Sequence, residues 1–261
     1  MDLGVAGETA IVTASSSGLG KASATALARE GANVVICSRS RDNLDEAAAD
    51  IEAVADGTVL SVQADITDHD DVEALVQATV EEFGGVDHVV TSAGGVPSGP
   101  FLEITERDWY QAYDLLVMSV VWLAEAAHPH LVESDAGTIT AITSTSVQEA
   151  IDGLVLSNAV RRAVVGLVKT LAQEFAPDVR TNAVLPGAHE TPRIQELVEA
   201  AVERGDVPSY EEGLAGWHAD IPLDRIGDPM ELGDAVAFLA SDRASFVNGA
   251  SLPVDGGTLR S

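Results

Sequence analysis

The segment Ala10-Ile-Val-Thr-Ala-Ser-Ser-Ser-Gly-Leu-Gly20 sets small residues and two glycines between an apolar run and an alanine-rich helix signal. Such a turn gathers bare backbone N–H groups and a helix N-terminus at one point, where a dinucleotide pyrophosphate can dock. Thr13, Ser15, Ser16, Ser17, Gly18, Leu19 and Gly20 are the candidate contacts, because only small residues let phosphate approach the backbone closely. A second group ends the next apolar run, Val34-Val-Ile-Cys-Ser-Arg39. Sites for NAD(H) place an acid there against the ribose 2′-hydroxyl, whereas an arginine suits a 2′-phosphate. Here Ser38 stands where the acid would be, Arg39 and Arg41 follow, and Lys21 opens the first helix. The pattern predicts NADP(H) in preference to NAD(H). Asp65 and Ile66 follow the third run and would border the adenine. Ser92, Ala93 and Gly94 follow the fourth, where small side chains would admit ribose and nicotinamide.

These residues need a scaffold that brings strand ends together. Apolar runs suited to buried parallel strands occur at 9–13, 33–38, 58–63, 86–91, 137–143, 179–185 and 250–254. Helical patterns separate them at 19–30, 41–54, 68–83, 106–132, 154–175 and 229–240. This alternation predicts an α/β Rossmann fold: one domain over 1–261, with a doubly wound seven-stranded parallel sheet and helices on both faces. Residues 188–227 break the rhythm as a long, polar, irregular stretch holding His189, Tyr210, Trp217 and His218. Beside a cofactor site, such a stretch reads as a substrate-covering lid without an evident charge or aromatic code.

Composition narrows the partners. The chain has 261 residues, 14 basic against 42 acidic, for a net charge of −28, and its only lysines are Lys21 and Lys169. That surface repels nucleic acid and anionic membranes and predicts self-repulsion that salt would relieve, an adaptation to a high-salt cytoplasm. Cys37 is the single cysteine, which excludes an intrachain disulfide and a thiolate metal cluster. No metal site is expected. Neither a signal peptide nor an apolar run of spanning length is evident, which predicts a cytoplasmic protein.

Taken in order, the Thr13–Gly20 turn, Asp65-Ile66, Thr91–Gly94, Asn182-Ala-Val-Leu-Pro-Gly187 with Thr191, and Asn248-Gly249…Val254-Asp-Gly-Gly257 resemble the short-chain dehydrogenase/reductases. The layout is similar to that of 3-oxoacyl-carrier-protein reductases over essentially the full length. The resemblance implies an oxidoreductase that moves hydride between nicotinamide and a small carbonyl or alcohol carbon. It also implies nicotinamide contacts at Pro186, Gly187 and Thr191, and a homodimer or homotetramer built on the two long helices. Trp109, Trp122 and Phe175 read as core or interface residues. One departure lies in the turn itself, where Ala14 replaces the first glycine.

The catalytic positions depart further. The family uses a serine, a tyrosine, a lysine four residues after the tyrosine, and an asparagine from the preceding helix. In this chain those positions fall on Ser144, Ser157, Arg161 and Leu116. A serine hydroxyl is a much weaker acid than a phenol. Arginine stays charged and cannot pass protons, although its fork can hold ribose hydroxyls or an oxyanion. Ser144, Ser157 and Arg161 are the predicted catalytic set, with Arg161 also touching the cofactor. His189 is the best substitute proton donor unless it simply faces solvent, and Tyr113 is a remoter phenol. Two alternatives stand beside the oxidoreductase: a non-redox lyase on the same scaffold, and an inactive dinucleotide-binding regulator or structural protein.

Overall fold

A computed structural model describes residues 2–260. Among these, the strands are β1 (Thr9–Val12), β2 (Asn33–Ser38), β3 (Val59–Gln63), β4 (His88–Thr91), β5 (Thr138–Ile142), β6 (Arg180–Pro186) and β7 (Ser251–Val254). They form one parallel sheet in the order β3-β2-β1-β4-β5-β6-β7. The register sets Ala10 beside Val34 on one side and His88 on the other. Because β1 is covered on both faces, all four of its residues are buried, and its sequence is apolar rather than alternating. Strand order reverses between β1 and β4, which opens a crevice at their carboxyl ends.

The helices are α1 (Gly18–Arg29), α2 (Arg41–Glu52), α3 (His69–Phe83), α4 (Glu106–Tyr113), α5 (Ser119–Glu133), α6 (Val155–Glu174), α7 (Pro192–Arg204), α8 (Tyr210–Ala219) and α9 (Pro229–Ala240). One sheet face is covered by α1, α2 and α9 through Leu27, Leu44, Ile51, Leu232 and Val236. The other is covered by α3, α5 and α6 through Leu75, Leu123, Leu131 and Val164. Helices α1 and α9 touch backbone to backbone: a Cβ on Gly233 would lie 2.6 Å from the Ala22 carbonyl oxygen. On β4, buried His88 is held by Glu8 at 2.7 Å and by Thr138 at 2.8 Å. The thiol of Cys37 is buried, which pushes its pKa up to about 12 and leaves it inert.

The helix expected over 106–132 is present as one unbroken run, Glu106–Glu133, made of α4, a π-helical turn at Asp114–Met118, and α5. Two sequence expectations need correction. By length and composition that helix is apolar enough to cross a membrane, contrary to the expectation that no run approaches that length. Its apolar residues serve the sheet, with Leu123, Ala127 and Leu131 fully buried. Second, residues 188–227 are not irregular, since they carry α7 and α8. Ile194 and Val198, four apart, bury one stripe of α7, and the Ser209 hydroxyl caps α8. Surrounding acidic residues hide that short stripe in the sequence.

Candidate active site

The turn after β1 is shaped from inside. The Ser15 hydroxyl donates to the Val12 carbonyl at 2.7 Å and accepts the Cys37 N–H at 3.0 Å. The Thr13 hydroxyl donates to the Ser92 carbonyl at 2.7 Å and accepts the Ser92 N–H at 2.8 Å. Both side chains therefore tie neighbouring strand ends together and point away from the crevice. Gly20 is fixed by closeness, since a Cβ there would sit 2.5 Å from the Ala14 carbonyl oxygen. Ala14 itself adopts φ +46, the left-handed region where a Cβ is costly.

The amino end of α1 is left open. Its N-cap, Ser17, makes no side-chain cap, and the first turn carries no acid. Among the other helices α2, α3, α4, α8 and α9 are capped by a side-chain oxygen, and α5, α6 and α7 are not. Unclaimed N–H groups at a helix start attract an anion. With Gly18, Leu19 and Gly20 beside them, these residues fit a pyrophosphate. No ligand side chain is needed for that fit.

At the ends of β2 and β3 the expected cation cluster thins out. Lys21 pairs with Asp50, and Arg41 pairs with Asp45 at 2.9 Å. Arg39 is exposed and has no ion pair among the described residues. Ser38 hydrogen-bonds the Ser40 backbone, and the Asp65 carboxylate accepts from the Thr67 N–H and hydroxyl. Ser38, Arg39, Asp65 and Ile66 lie outside the enclosed part of the crevice, as do Thr13, Ser15 and Ser16.

That enclosed part is a cavity of about 690 Å³ running from the α1 turn to α8. Ser92, Ala93, Gly94, Pro186, Gly187 and Thr191 line it together with Ser144, Ser157 and Arg161. The Ser144 oxygen accepts the Ser146 N–H at 3.1 Å, and the Ser157 hydroxyl faces the fully buried Ser146 hydroxyl at 3.2 Å. Arg161 donates to the Thr143 carbonyl at 3.3 Å. Burial, and secondarily the charge of Arg193, lowers its pKa to about 10, so it stays protonated at neutral pH. Leu116 is buried in the π-helical turn and borders a void of about 10 Å³ shared with Ser119 and Arg161. Leu116 places an apolar side chain, which cannot order water, at this irregular turn.

His189 is buried rather than facing solvent, and it lines the cavity. Its Nδ1 lies 3.2 Å from the Gly187 carbonyl, so that nitrogen carries the proton. Burial outweighs the carbonyl and the nearby Glu231 and Asp228 and lowers its pKa, which makes it a neutral ring at pH 7. A second contact fixes it: a Cβ on Gly227 would lie 2.8 Å from the ring. The backbone of 188–190 pairs with Gly227 through bonds of 3.0 and 2.9 Å, so the segment leaves and returns at one point. Tyr113 is exposed and does not line the cavity. Trp109, Trp122 and Phe175 pack against the core clusters.

Sequence reasoning missed Arg193, which lines the cavity from α7, and Ser146, whereas Trp217, already named in the 188–227 stretch, lines it from α8. Arg193 was detectable as a rare cation directly after Thr191-Pro192, in a stretch otherwise rich in acid.

Residues 13–258 match the family model described as enoyl-(acyl carrier protein) reductase. The chain belongs to the short-chain dehydrogenase/reductase family. It is 31% identical over 252 residues to the 3-oxoacyl-[acyl-carrier-protein] reductase of Thermotoga maritima, covering 96% of this chain and 97% of that one. It is 35% identical over 252 residues, with the same coverage, to the 4-formylbenzenesulfonate dehydrogenase of Comamonas testosteroni. The L-sorbose reductase of Gluconobacter frateurii, solved with NADPH and L-sorbose, superimposes with a TM-score of 0.94 at 31% identity, covering 100% of both chains. The family is one of oxidoreductases acting on small molecules.

Proposed function

We propose that this chain is an NADP(H)-dependent oxidoreductase that interconverts a small carbonyl compound and its secondary alcohol. The carrying observation is the uncapped, acid-free start of α1, which opens into the same cavity as Ser144, Ser157 and Arg161. Ser17 to Gly20 would hold the pyrophosphate, and Pro186, Gly187 and Thr191 the nicotinamide end, which supplies hydride when bound. Arg39 would select the 2′-phosphate, in keeping with the NADPH in the L-sorbose reductase structure. Residues 188–227 act as the lid.

The proton chemistry follows from this chain's own side chains. Ser144 polarises the carbonyl oxygen, and protonated Arg161 stabilises the negative charge that develops on it. Ser157, fixed by Ser146, passes a proton from water. His189 orders the base of the lid. We retain a second reading, dinucleotide binding without turnover, because Leu116 and Ser157 remove both ends of the usual relay. The acidic surface suits a cytoplasm of high salt, and the long helices α4 to α6 suit a homodimer or homotetramer.

A screen of aldehydes and ketones with NADPH, followed by absorbance of the reduced cofactor, tests the assignment. Turnover that falls about a hundredfold in Ser144→Ala and less in Ser157→Ala supports it. Tight NADPH binding without turnover on any carbonyl class would leave the second reading in place.

A further inference from the structure

The reaction end of the cavity holds two cations in a protein that has very few. Arg161 makes no ion pair among the described residues, and its recorded bond is to one backbone carbonyl. Arg161 is only partly buried, yet a partly desolvated cation without a counter-ion still costs free energy. Arg193 is close enough for its charge to depress the Arg161 pKa further. The two guanidinium groups therefore repel each other across the cavity, and an anion between them would relieve both.

Arg193 is built to hold one. It lies in the first turn of α7, whose N-terminus has neither a side-chain cap nor an acid. Its guanidinium rests on Gly95, where a Cβ would come within 2.6 Å of Cζ. One nitrogen donates to the Val96 carbonyl at 2.7 Å, which anchors the group over the cavity. Another meets Glu196 at 3.1 Å, but that carboxylate is 64% exposed. Such a surface pair is weak and exchangeable. A guanidinium has five N–H donors, so several remain for a ligand. Val96, Ile151, Leu154, Leu197 and Trp217 give the chamber around it apolar walls, and the carboxylates of Glu196 and Asp220 also belong to its lining.

The pyrophosphate cradle does not answer this charge, because it lies at the opposite end of the cavity, at the start of α1. We propose that the substrate brings the anion: a carbonyl compound with an apolar body and its own carboxylate, which Arg193 binds within reach of Arg161. This rests on the reading of the cavity as the place where a carbonyl is reduced. The carboxylate is a spectator. Hydride from NADPH adds to the carbonyl carbon, a proton adds to its oxygen, and the acid group leaves unchanged. A local pair of arginines is also what an anionic ligand needs to enter a protein of net charge −28.

The test compares phenylglyoxylate with its methyl ester as substrates, and benzoate with benzamide as ligands that do not react. The acid should exceed the ester in kcat/KM by about tenfold, the effect of one charge-assisted hydrogen bond. Arg193→Gln should erase that ratio through KM, with kcat and the ester little changed. Arg162→Gln, an exposed cation on the same helix as Arg161, should alter neither. By calorimetry, with and without NADP+, benzoate should bind more tightly than benzamide, and only to protein that retains Arg193. An ester used as well as the acid, or a ratio unchanged in Arg193→Gln, overturns the proposal. If neither compound is reduced, the calorimetry decides it: Arg193-dependent benzoate binding upholds the anion site while the redox reading fails. Equal binding of benzoate and benzamide sinks the anion site.

Discussion

Ser146 and Ser157 place their hydroxyl oxygens 3.2 Å apart, Ser146 wholly buried and Ser157 almost so. Ser157 borders the cavity while Ser146 lies behind it, so the Ser157 hydroxyl is the one partner recorded for the Ser146 hydroxyl. Removing one partner strands the other, whereas removing both exchanges a hydrogen bond for apolar contact. Ser146→Ala and Ser157→Ala should each cost about 1 kcal/mol, and the double variant less than their sum. Urea denaturation of the four proteins measures the difference. Strict additivity would show that the hydroxyls do not depend on each other.

Arg39 is the loop cation left without an ion pair, while Lys21 and Arg41 are held by Asp50 and Asp45. Arg39→Ala should therefore weaken NADPH binding about tenfold or more, the loss of a charge-assisted contact, and leave NADH binding nearly unchanged. Fluorescence titration of both cofactors reads the outcome. An equal loss for both would move the 2′-phosphate contact elsewhere, to Lys21 or Arg41.

The sheet was legible because each strand is built around apolar, mostly β-branched residues, and the strand positions differ from expectation by only a residue or two at the ends. The dinucleotide turn was legible because small residues and glycine have few other reasons to gather after a buried strand. What failed was anything that needed tertiary information. The i,i+4 spacing of Arg41 and Asp45 is local, but nothing in the sequence shows that Asp50 on α2 already holds Lys21. His189 packs against Gly227, 38 positions away and beyond the reach of any local pattern. Arg193 enters the cavity because α7 folds back over Gly95, a contact that no local pattern announces.

Ala14 occupies a left-handed conformation at φ +46, next to the carbonyl that restricts Gly20. A Cβ in that region costs about 1 kcal/mol, more than glycine loses by its greater freedom when unfolded. Ala14→Gly should stabilise the fold by no more than about 0.5 kcal/mol, the Cβ cost less the entropy lost with glycine. It should also leave the turn more open toward a phosphate. A shift of the urea midpoint in the destabilising direction would mean that the Ala14 methyl contributes packing that outweighs its strain.

The charge imbalance gives a sign for salt. Repulsion among surface carboxylates acts over the Debye length, which shortens from about 10 Å at 0.1 M to about 3 Å at 1 M. Raising NaCl across that range should increase Tm by several degrees, corresponding to about 1–2 kcal/mol. Ion pairs such as Arg225 with Glu231 weaken in the same range, but they are few beside the unpaired acids. A Tm that stays level or falls would show that these pairs, rather than repulsion, dominate the surface.

His189 gives the fold a pH dependence of definite sign. Its ordinary pKa is 6.5, and burial lowers it in the native state, where Nδ1 already donates to the Gly187 carbonyl. Below 6.5 the unfolded chain takes up a proton that the native chain still refuses. Unfolding is then favoured as pH falls, because the unfolded state binds more protons. The stability that neutral His189 provides is complete above 6.5 and is lost as pH falls through the lowered native value. His189→Asn places an amide N–H near the Nδ1 position, facing the Gly187 carbonyl, but cannot titrate. Wild type should therefore lose more stability than His189→Asn between pH 7.5 and 5.5, as measured by urea midpoints at matched salt. Carboxylates titrating at the lower end affect both proteins alike and cancel in the comparison. Parallel curves would mean that the ring can be protonated in place, with the loop around Gly227 opening to let water reach Nε2.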